Sequence, residues 1–380
     1  MVSCAEASGD VYAGALTRAL LAQAPGSRVF GLGGDELARA GGTVIEHFRG
    51  LSVTGITEAI PFIPRFYALL GRLKAAAAAE RPDALVVIDA PDFNFFLLKA
   101  IRPLGIPIIY YISPQLWAWR SGRMRTMQQY VDRVLVIFPF EEAIYQQAGV
   151  PVSFVGHPLV DLTRATESRD SFLRGLGLAP ERPTLALLPG SRRNEVSRLA
   201  PVLAGALARI REQVPEVQAV IACAPHLPDA AFDVFGNGPG APARVRGRAD
   251  DVLAASDVVL TASGTATVQA ALHERPMVVV YRLSPLTYRV GKPFVRVDTY
   301  AMPNLVAGAR IVPELIQDDC TPERVAAEAV TLLRDTVRHA QTVDALRGVR
   351  ERLGAPGASR RAADAVLSVI AEHQRRRAVR

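Results

Sequence analysis

Short apolar runs rich in Val, Ile and Leu alternate with helical stretches along almost the whole chain, in two successive series. Each run is too short for a helix and lacks the apolar–polar alternation of a half-exposed strand. It therefore reads as a strand buried on both faces, which requires a parallel sheet flanked by helices. The first series comprises Val2–Cys4, Arg28–Leu32, Ala84–Ile88, Ile106–Ile112, Arg133–Ile137 and Val152–Val155. The second restarts at Thr184–Leu188 and continues through Ala219–Ala222, Val258–Thr261, Met277–Tyr281 and Ile311–Val312. Between them the polar stretch Asp161–Pro183, with two Gly and two Pro, reads as a boundary. The expected organisation is two doubly wound α/β domains facing a cleft, over residues 1–160 and 183–345, with a C-terminal helix in 346–380 packing back across the boundary. Ala224–Arg248, rich in Pro, Gly and Ala, reads as a surface excursion.

Two strand-to-helix turns carry the clearest chemistry. LALLPGSRRNEV (Leu185–Val196) and VVLTASGTATVQAAL (Val258–Leu272) each break an apolar run at small residues just before a helical pattern. Such turns present unpaired backbone N–H groups and the positive end of a helix dipole, an arrangement suited to phosphate. With Arg192 and Arg193 on the first, the pair suggests a diphosphate held from two sides, although Gly/Ser turns in α/β folds also occur without a ligand. In the first half, SCAEASGD places Glu6, Ser8 and Asp10 at the mouth of a strand, where they can bind a hydroxyl-rich ligand; helix capping accounts for one of the three. In VVIDAPDFNFFLL, Asp89 lies just past a buried strand as a candidate general base. Asp92 reads as a helix cap and Asn94 as a further turn residue. SPQLWAWRSGRM sets Trp117 and Trp119 beside Arg120, Arg123 and Arg125, either as an acceptor-site lining or as core and solvated surface. In Leu51–Lys74, Phe62, Phe66, Leu69, Leu70 and Leu73 recur at helical spacing, which fits a buried amphipathic helix or one resting on a membrane.

Composition narrows the classes. Three cysteines lie far apart, without metal-ligand or disulfide spacing, which suits a reducing compartment. No apolar stretch reaches the roughly 20 residues of a membrane span, and the N-terminus lacks a signal-peptide pattern, so the expected location is the cytoplasm. The net charge of +7 comes almost wholly from arginine, since lysine occurs only at Lys74, Lys99 and Lys292. That reflects either base composition or affinity for an anionic partner; nucleic acid is disfavoured, because no basic stripe is interleaved with aromatics. Asp250–Asp251 has a capping explanation and does not resemble a DxD metal site, so neither metal nor cofactor is expected.

EASGD, IDAPDFN, YYISPQLWAWR, FPFEEAIY, FVGHPLVD, LLPGSR, ASDVVLTASGTAT and MPNLVAG, spread from Glu6 to Gly308, together resemble the lipid-A-disaccharide synthase family of inverting glycosyltransferases. The resemblance implies two Rossmann-like domains of GT-B architecture. It also implies transfer of 2,3-diacylglucosamine from UDP to 2,3-diacylglucosamine 1-phosphate, giving a β-1,6-linked disaccharide 1-phosphate and UDP. By the same resemblance Asp89 is the base and Glu6 shares the catalytic centre, Arg192 holds the donor diphosphate, and Ser263, Gly264 and Thr265 seat it through their amides. Gln269 holds the ribose, Tyr281 lies near the nucleotide, Ser8, Asp10, Asn94 and Asn304 contribute to substrate binding, and Val53–Leu73 contacts acyl chains at the cytoplasmic face of the inner membrane. Three positions depart from the family pattern: Ala5 replaces a glycine, Gln269 replaces a glutamate, and the first strand is short, as if upstream residues were missing. A related UDP-sugar enzyme and a non-catalytic, membrane-associated UDP-sugar binder are the alternatives.

Overall fold

The computed structural model describes residues 1–49, 63–114, 116, 121–283 and 299–378. The chain forms two compact units, Met1–Pro158 with Leu353–Arg380, and Leu159–Arg352.

The first unit is built on a seven-stranded parallel sheet in the order β3-β2-β1-β4-β5-β6-β7. Its strands are β1 (Val2–Cys4), β2 (Phe30–Gly33), β3 (Thr43–His47), β4 (Leu85–Ile88), β5 (Ile108–Tyr111), β6 (Arg133–Val136) and β7 (Val152–Phe154). Strands β1, β4 and β5 are buried along their whole length, as their unbroken apolar character requires. β3 escaped the sequence reading because its TVIEH is half-exposed at the sheet edge. The helix Ala7–Gln23 packs against the C-terminal helix Ala358–Ala378, so the last 28 residues, Leu353–Arg380, belong to the first unit. Arg361 ties them in by donating to the carbonyls of Val155, Ala355 and Pro356.

The second unit carries a six-stranded parallel sheet in the order β10-β9-β8-β11-β12-β13. Its strands are β8 (Thr184–Leu188), β9 (Gln218–Cys223), β10 (Ala243–Arg246), β11 (Val258–Ala262), β12 (Met277–Tyr281) and β13 (Glu314–Ile316). The surface excursion over Ala224–Arg248 contains an edge strand, β10, whose ARVR sequence hides it. Arg244 and Arg246 staple the excursion by donating to the carbonyls of Phe232, Gly236, Ala224 and Leu227, over the buried Phe232 and Phe235. The last strand begins at Glu314, not Ile311, because Asn304 takes the amides of Ile311 and Val312 before Pro313. The polar stretch after Asp161 is folded onto this unit. Thr166 bonds Asp251 through its amide and hydroxyl, and Arg169 pairs with Asp257 at 2.9 Å while donating to the Ala255 carbonyl.

Candidate active site

Both sheets reverse strand order at one point, between β1 and β4 in the first and between β8 and β11 in the second. Loops leaving adjacent strands on either side of such a reversal diverge to opposite faces and leave a crevice at the carboxyl ends, where ligands bind in this class of sheet. Four of the motifs emerge at these two points. The register Cys4↔Ile88 brings the EASGD loop beside Asp89, and Thr261↔Leu188 brings PGSR beside SGTAT. Neighbouring strands lie about 4.8 Å apart, so each pair of loops forms one continuous edge.

In the first unit, Glu6, Ser8 and Asp89 are half-buried at this edge. Glu6 is the extended N-cap of the helix Ala7–Gln23. Ala5 has no positive φ, so its side chain adds no backbone strain where the family has glycine. Asp10 departs from the expected substrate contact. It is 4% exposed, and its Oδ1 accepts from the amides of Gly34 and Leu37 while Oδ2 accepts from Glu36. It thus caps the helix Asp35–Arg39 from outside, because that helix's N-cap, Gly34, has no side chain to do so. Asn94 also departs: fully buried, it spends its carboxamide on main-chain carbonyls and on Ser3. The N-cap of the helix Pro91–Ile101 is Ala90, with Asp92 in the first turn, where it pairs with Arg123 at 2.8 Å. Trp117, Trp119 and Arg120 lie outside the described residues; Arg123 sits 5.1 Å over the Phe95 ring. The helix Ile63–Glu80 buries Leu69, Leu73 and Ala77 and leaves Ile63 and Tyr67 exposed, and its Phe66 meets the rings of Tyr67 and of the exposed Phe96 edge to face. The rest of the amphipathic segment, residues 53–62, lies outside the described residues.

In the second unit the two turns differ. At PGSR, Gly190 adopts φ +123°, and a Cβ there would lie 2.7 Å from Glu195. The Glu195 carboxylate folds back and accepts from the amides of Ser191 (3.2 Å) and Arg192 (3.3 Å), and lies 3.5 Å from the Arg192 guanidinium. The turn expected to offer open amides is therefore filled by the chain's own carboxylate, in a capping-box arrangement; what it presents is the half-buried Arg192 side chain. The signal in the sequence was the Arg192-x-x-Glu195 spacing. At SGTAT, Gly264 adopts φ +140° as N-cap of the helix Thr265–Leu272, a conformation that only glycine enters without strain. The Ser263 amide is spent on the Val280 carbonyl and its hydroxyl on the Tyr300 carbonyl. The exposed amides shift one residue onward, to Gly264, Thr265 and Ala266, which carry no partner among the described residues.

Tyr281 ends β12 beside this turn. Burial pushes its phenol up, the Glu195 carboxylate adds to that, and the Arg192 and Arg198 guanidinium groups oppose it. Gln269 donates to Asp250 Oδ1 at 3.3 Å, and His273 Nε2 lies 3.1 Å from the same oxygen. Asp250 thus anchors Gln269 rather than capping its own helix, while Asp251 is taken by Thr166 and Arg248. Asn304, expected in the substrate site, is 1% exposed with every donor and acceptor used: Nδ2 donates to Val312 O and Glu314 Oε1, and Oδ1 accepts from the amides of Ile311 and Val312. Glu314 in turn accepts from the amides of Tyr300 and Ala301. Asn304 therefore shapes the segment that receives the Ser263 hydroxyl.

Comparisons with known proteins agree with this layout. The family model described as lipid-A-disaccharide synthetase matches residues 1–369. The lipid-A-disaccharide synthase of Myxococcus xanthus is 43% identical over 371 residues, covering 97% of each chain. Among solved structures, the UDP-N-acetylglucosamine 2-epimerase of Neisseria meningitidis, bound to UDP-N-acetylglucosamine, superposes with a TM-score of 0.67 at 11% identity, covering 94% of this chain and 96% of that one. The calicheamicin glycosyltransferase gives 0.61 at 18%, covering 98% and 97%. These structures share the fold of two parallel-sheet α/β domains known as GT-B. With its switch-point motifs in place along the full match, the chain belongs to the lipid-A-disaccharide synthase family.

Proposed function

We infer that the chain transfers a 2,3-diacylglucosamine unit from UDP to 2,3-diacylglucosamine 1-phosphate, with inversion, giving the β-1,6-linked disaccharide 1-phosphate and UDP. Family membership supports the reaction. The observation that supports the residue assignment is that each unit sets chemistry at its own switch point: a half-buried carboxylate, Asp89, in the first, and an arginine beside open helix amides in the second. Asp89 accepts the proton of the attacking hydroxyl, and Glu6, from the adjoining loop, shares that centre. As the sugar–phosphate bond breaks, negative charge grows on the departing diphosphate. Arg192 and the amides of Gly264, Thr265 and Ala266 neutralise it, as preorganised donors do best when they are already aimed at the developing charge. Attack opposite the leaving group inverts the anomeric centre.

Gln269 offers the ribose an amide in place of a carboxylate, steadied by Asp250. Tyr281 and Ser8 complete the donor and acceptor contacts. No helix among the described residues is long and apolar enough to cross a membrane; the exposed Ile63, Tyr67 and Phe96 instead support contact with the cytoplasmic surface of the inner membrane, where diacylated substrates reside.

The test is turnover of the two diacylated substrates by purified protein, with Asp89→Ala and Arg192→Ala alongside. Asp89→Ala should lose at least about a thousandfold in kcat while binding UDP normally. Arg192→Ala should bind UDP about tenfold more weakly. UDP binding without turnover in the unaltered protein, or turnover indifferent to Asp89→Ala, would refute the reading.

A further inference from the structure

We propose that Asn94, Ser3 and Tyr110 form a clamp on the main chain of Asp89 and so act as positioning residues for the transfer. The proposal rests on Asp89 being the base. Asp89 and Ala90 adopt φ of +47° and +44° in succession, a left-handed conformation in which the Cβ of an L-residue crowds its own backbone. Two adjacent non-glycine residues hold such a conformation only where the surroundings over-determine it.

The surroundings here do so from three directions. Asn94 is fully buried, and its Nδ2 donates to the Asp89 carbonyl at 2.8 Å and to the Ile88 carbonyl at 3.2 Å. Its Oδ1 accepts from Ser3 Oγ at 2.8 Å, which fixes the orientation of the amide, since a flipped carboxamide would set acceptor against acceptor. From the neighbouring β5, the Tyr110 hydroxyl donates to the same Asp89 carbonyl at 2.8 Å. The Asp89 amide donates to the Tyr111 carbonyl at 3.2 Å. Both peptide groups that flank Asp89 are therefore held, by the side chains of Asn94 and Tyr110 and the main chain of Tyr111, with Ser3 of β1 orienting Asn94. The Tyr110 phenol bears the mark of this closeness: burial pushes it well up and the Asp89 carboxylate adds to the shift.

With the clamp released, the Asp89–Ala90 pair relaxes toward ordinary φ, and the carboxylate swings away from its aim. Ser3, Asn94 and Tyr110 are all completely buried, so they act through Asp89 and not on substrate. The arrangement also gives the spacing within IDAPDFN a physical role. The Asn lies five residues past the Asp, on the first turn of the following helix, from which its amide reaches back to the strained carbonyl.

The test uses Tyr110→Phe, which keeps the ring and removes only the hydroxyl, and Asn94→Ala, each in the unaltered protein and in an Asp89→Ala background. Measurements are kcat, KM for the acceptor, and Kd for UDP by titration calorimetry. In the unaltered protein, kcat should fall about tenfold for Tyr110→Phe and about a hundredfold for Asn94→Ala, with the Kd for UDP within about twofold. In the Asp89→Ala background neither change should lower the residual rate further, because residues that act as a unit are not additive. An equal loss in both backgrounds, unchanged kcat in Tyr110→Phe, or a loss of UDP affinity matching the loss of kcat would each overturn the clamp. If Asn94→Ala does not fold, the Tyr110→Phe pair decides alone. Full turnover by Asp89→Ala by itself would instead remove the base assignment, so the two failures are read apart.

Discussion

Asp10 separates a structural role from a substrate role most sharply. Its carboxylate accepts three main-chain amides, two of them, Gly34 and Leu37, buried and the third, Glu36, partly exposed. In Asp10→Ala the Glu36 amide recovers a water, but the two buried donors lose their acceptor at about 2 kcal/mol each, for a total near 4 kcal/mol. Asp10→Asn retains an oxygen for the two buried amides and sets its NH2 against Glu36, at a cost of about 1–2 kcal/mol. For a unit of this size 1 kcal/mol corresponds to roughly 3 °C, so the first unit should melt about 12 °C lower in Asp10→Ala and about 4 °C lower in Asp10→Asn. Scanning calorimetry with and without UDP assigns the transitions, because a ligand raises the melting temperature only of the unit that binds it. UDP affinity should be unchanged in both variants. Melting within about 2 °C of the unaltered protein, together with a tenfold rise in acceptor KM for Asp10→Ala, would refute the capping account and return Asp10 to the substrate.

Two further outcomes follow from the structure. His157 is 2% exposed against the rings of Tyr12 and Phe138, and burial pushes its imidazole down to about 3. The unfolded chain takes up this proton below about pH 6.5 and the folded chain does not, so stability is whole above that pH and falls by about 1.4 kcal/mol per unit as pH drops toward 3. Denaturant titrations from pH 6 to 4 should show that slope reduced by about one proton in His157→Gln; identical slopes would exclude a neutral, buried imidazole as its source. At the surface, Tyr67→Ser with Phe96→Ser removes side chains that are 58% and 46% exposed. Binding to anionic phospholipid vesicles should weaken about thirtyfold, while the loss of two edge contacts to Phe66 lowers the melting temperature by only a few degrees, roughly. Undiminished co-sedimentation would exclude this patch as the membrane contact. Leu69 is the wrong residue for that test, because at 3% exposed it belongs to the core.

Much of the fold is legible because a strand buried on both faces must be apolar without interruption. Thr184–Leu188 and Met277–Tyr281 match the apolar runs end to end. The strands that escaped, TVIEH and ARVR, lie at sheet edges where solvent removes that requirement. Of the candidate site, Asp89, Arg192, Gly264 and Tyr281 are legible at or just past the ends of buried strands, since polar or small residues appear where the chain leaves the sheet.

Residues Asp10, Asn94, Ser263 and Asn304 share those loops and look equally fit for substrate. The difference is not in their local sequence. The partners of Asp10 lie 24 to 27 residues away, and Ser3, which orients the Asn94 amide, lies 91 residues away. The sequence by itself determined two parallel sheets and the loops at which chemistry could occur, because apolar burial is set by the run of residues along each strand. Only the tertiary structure decided which polar side chains in those loops remain for a substrate. A buried polar group must find a hydrogen-bond partner, and the partner that packing brings within reach is fixed by how distant strands are set side by side.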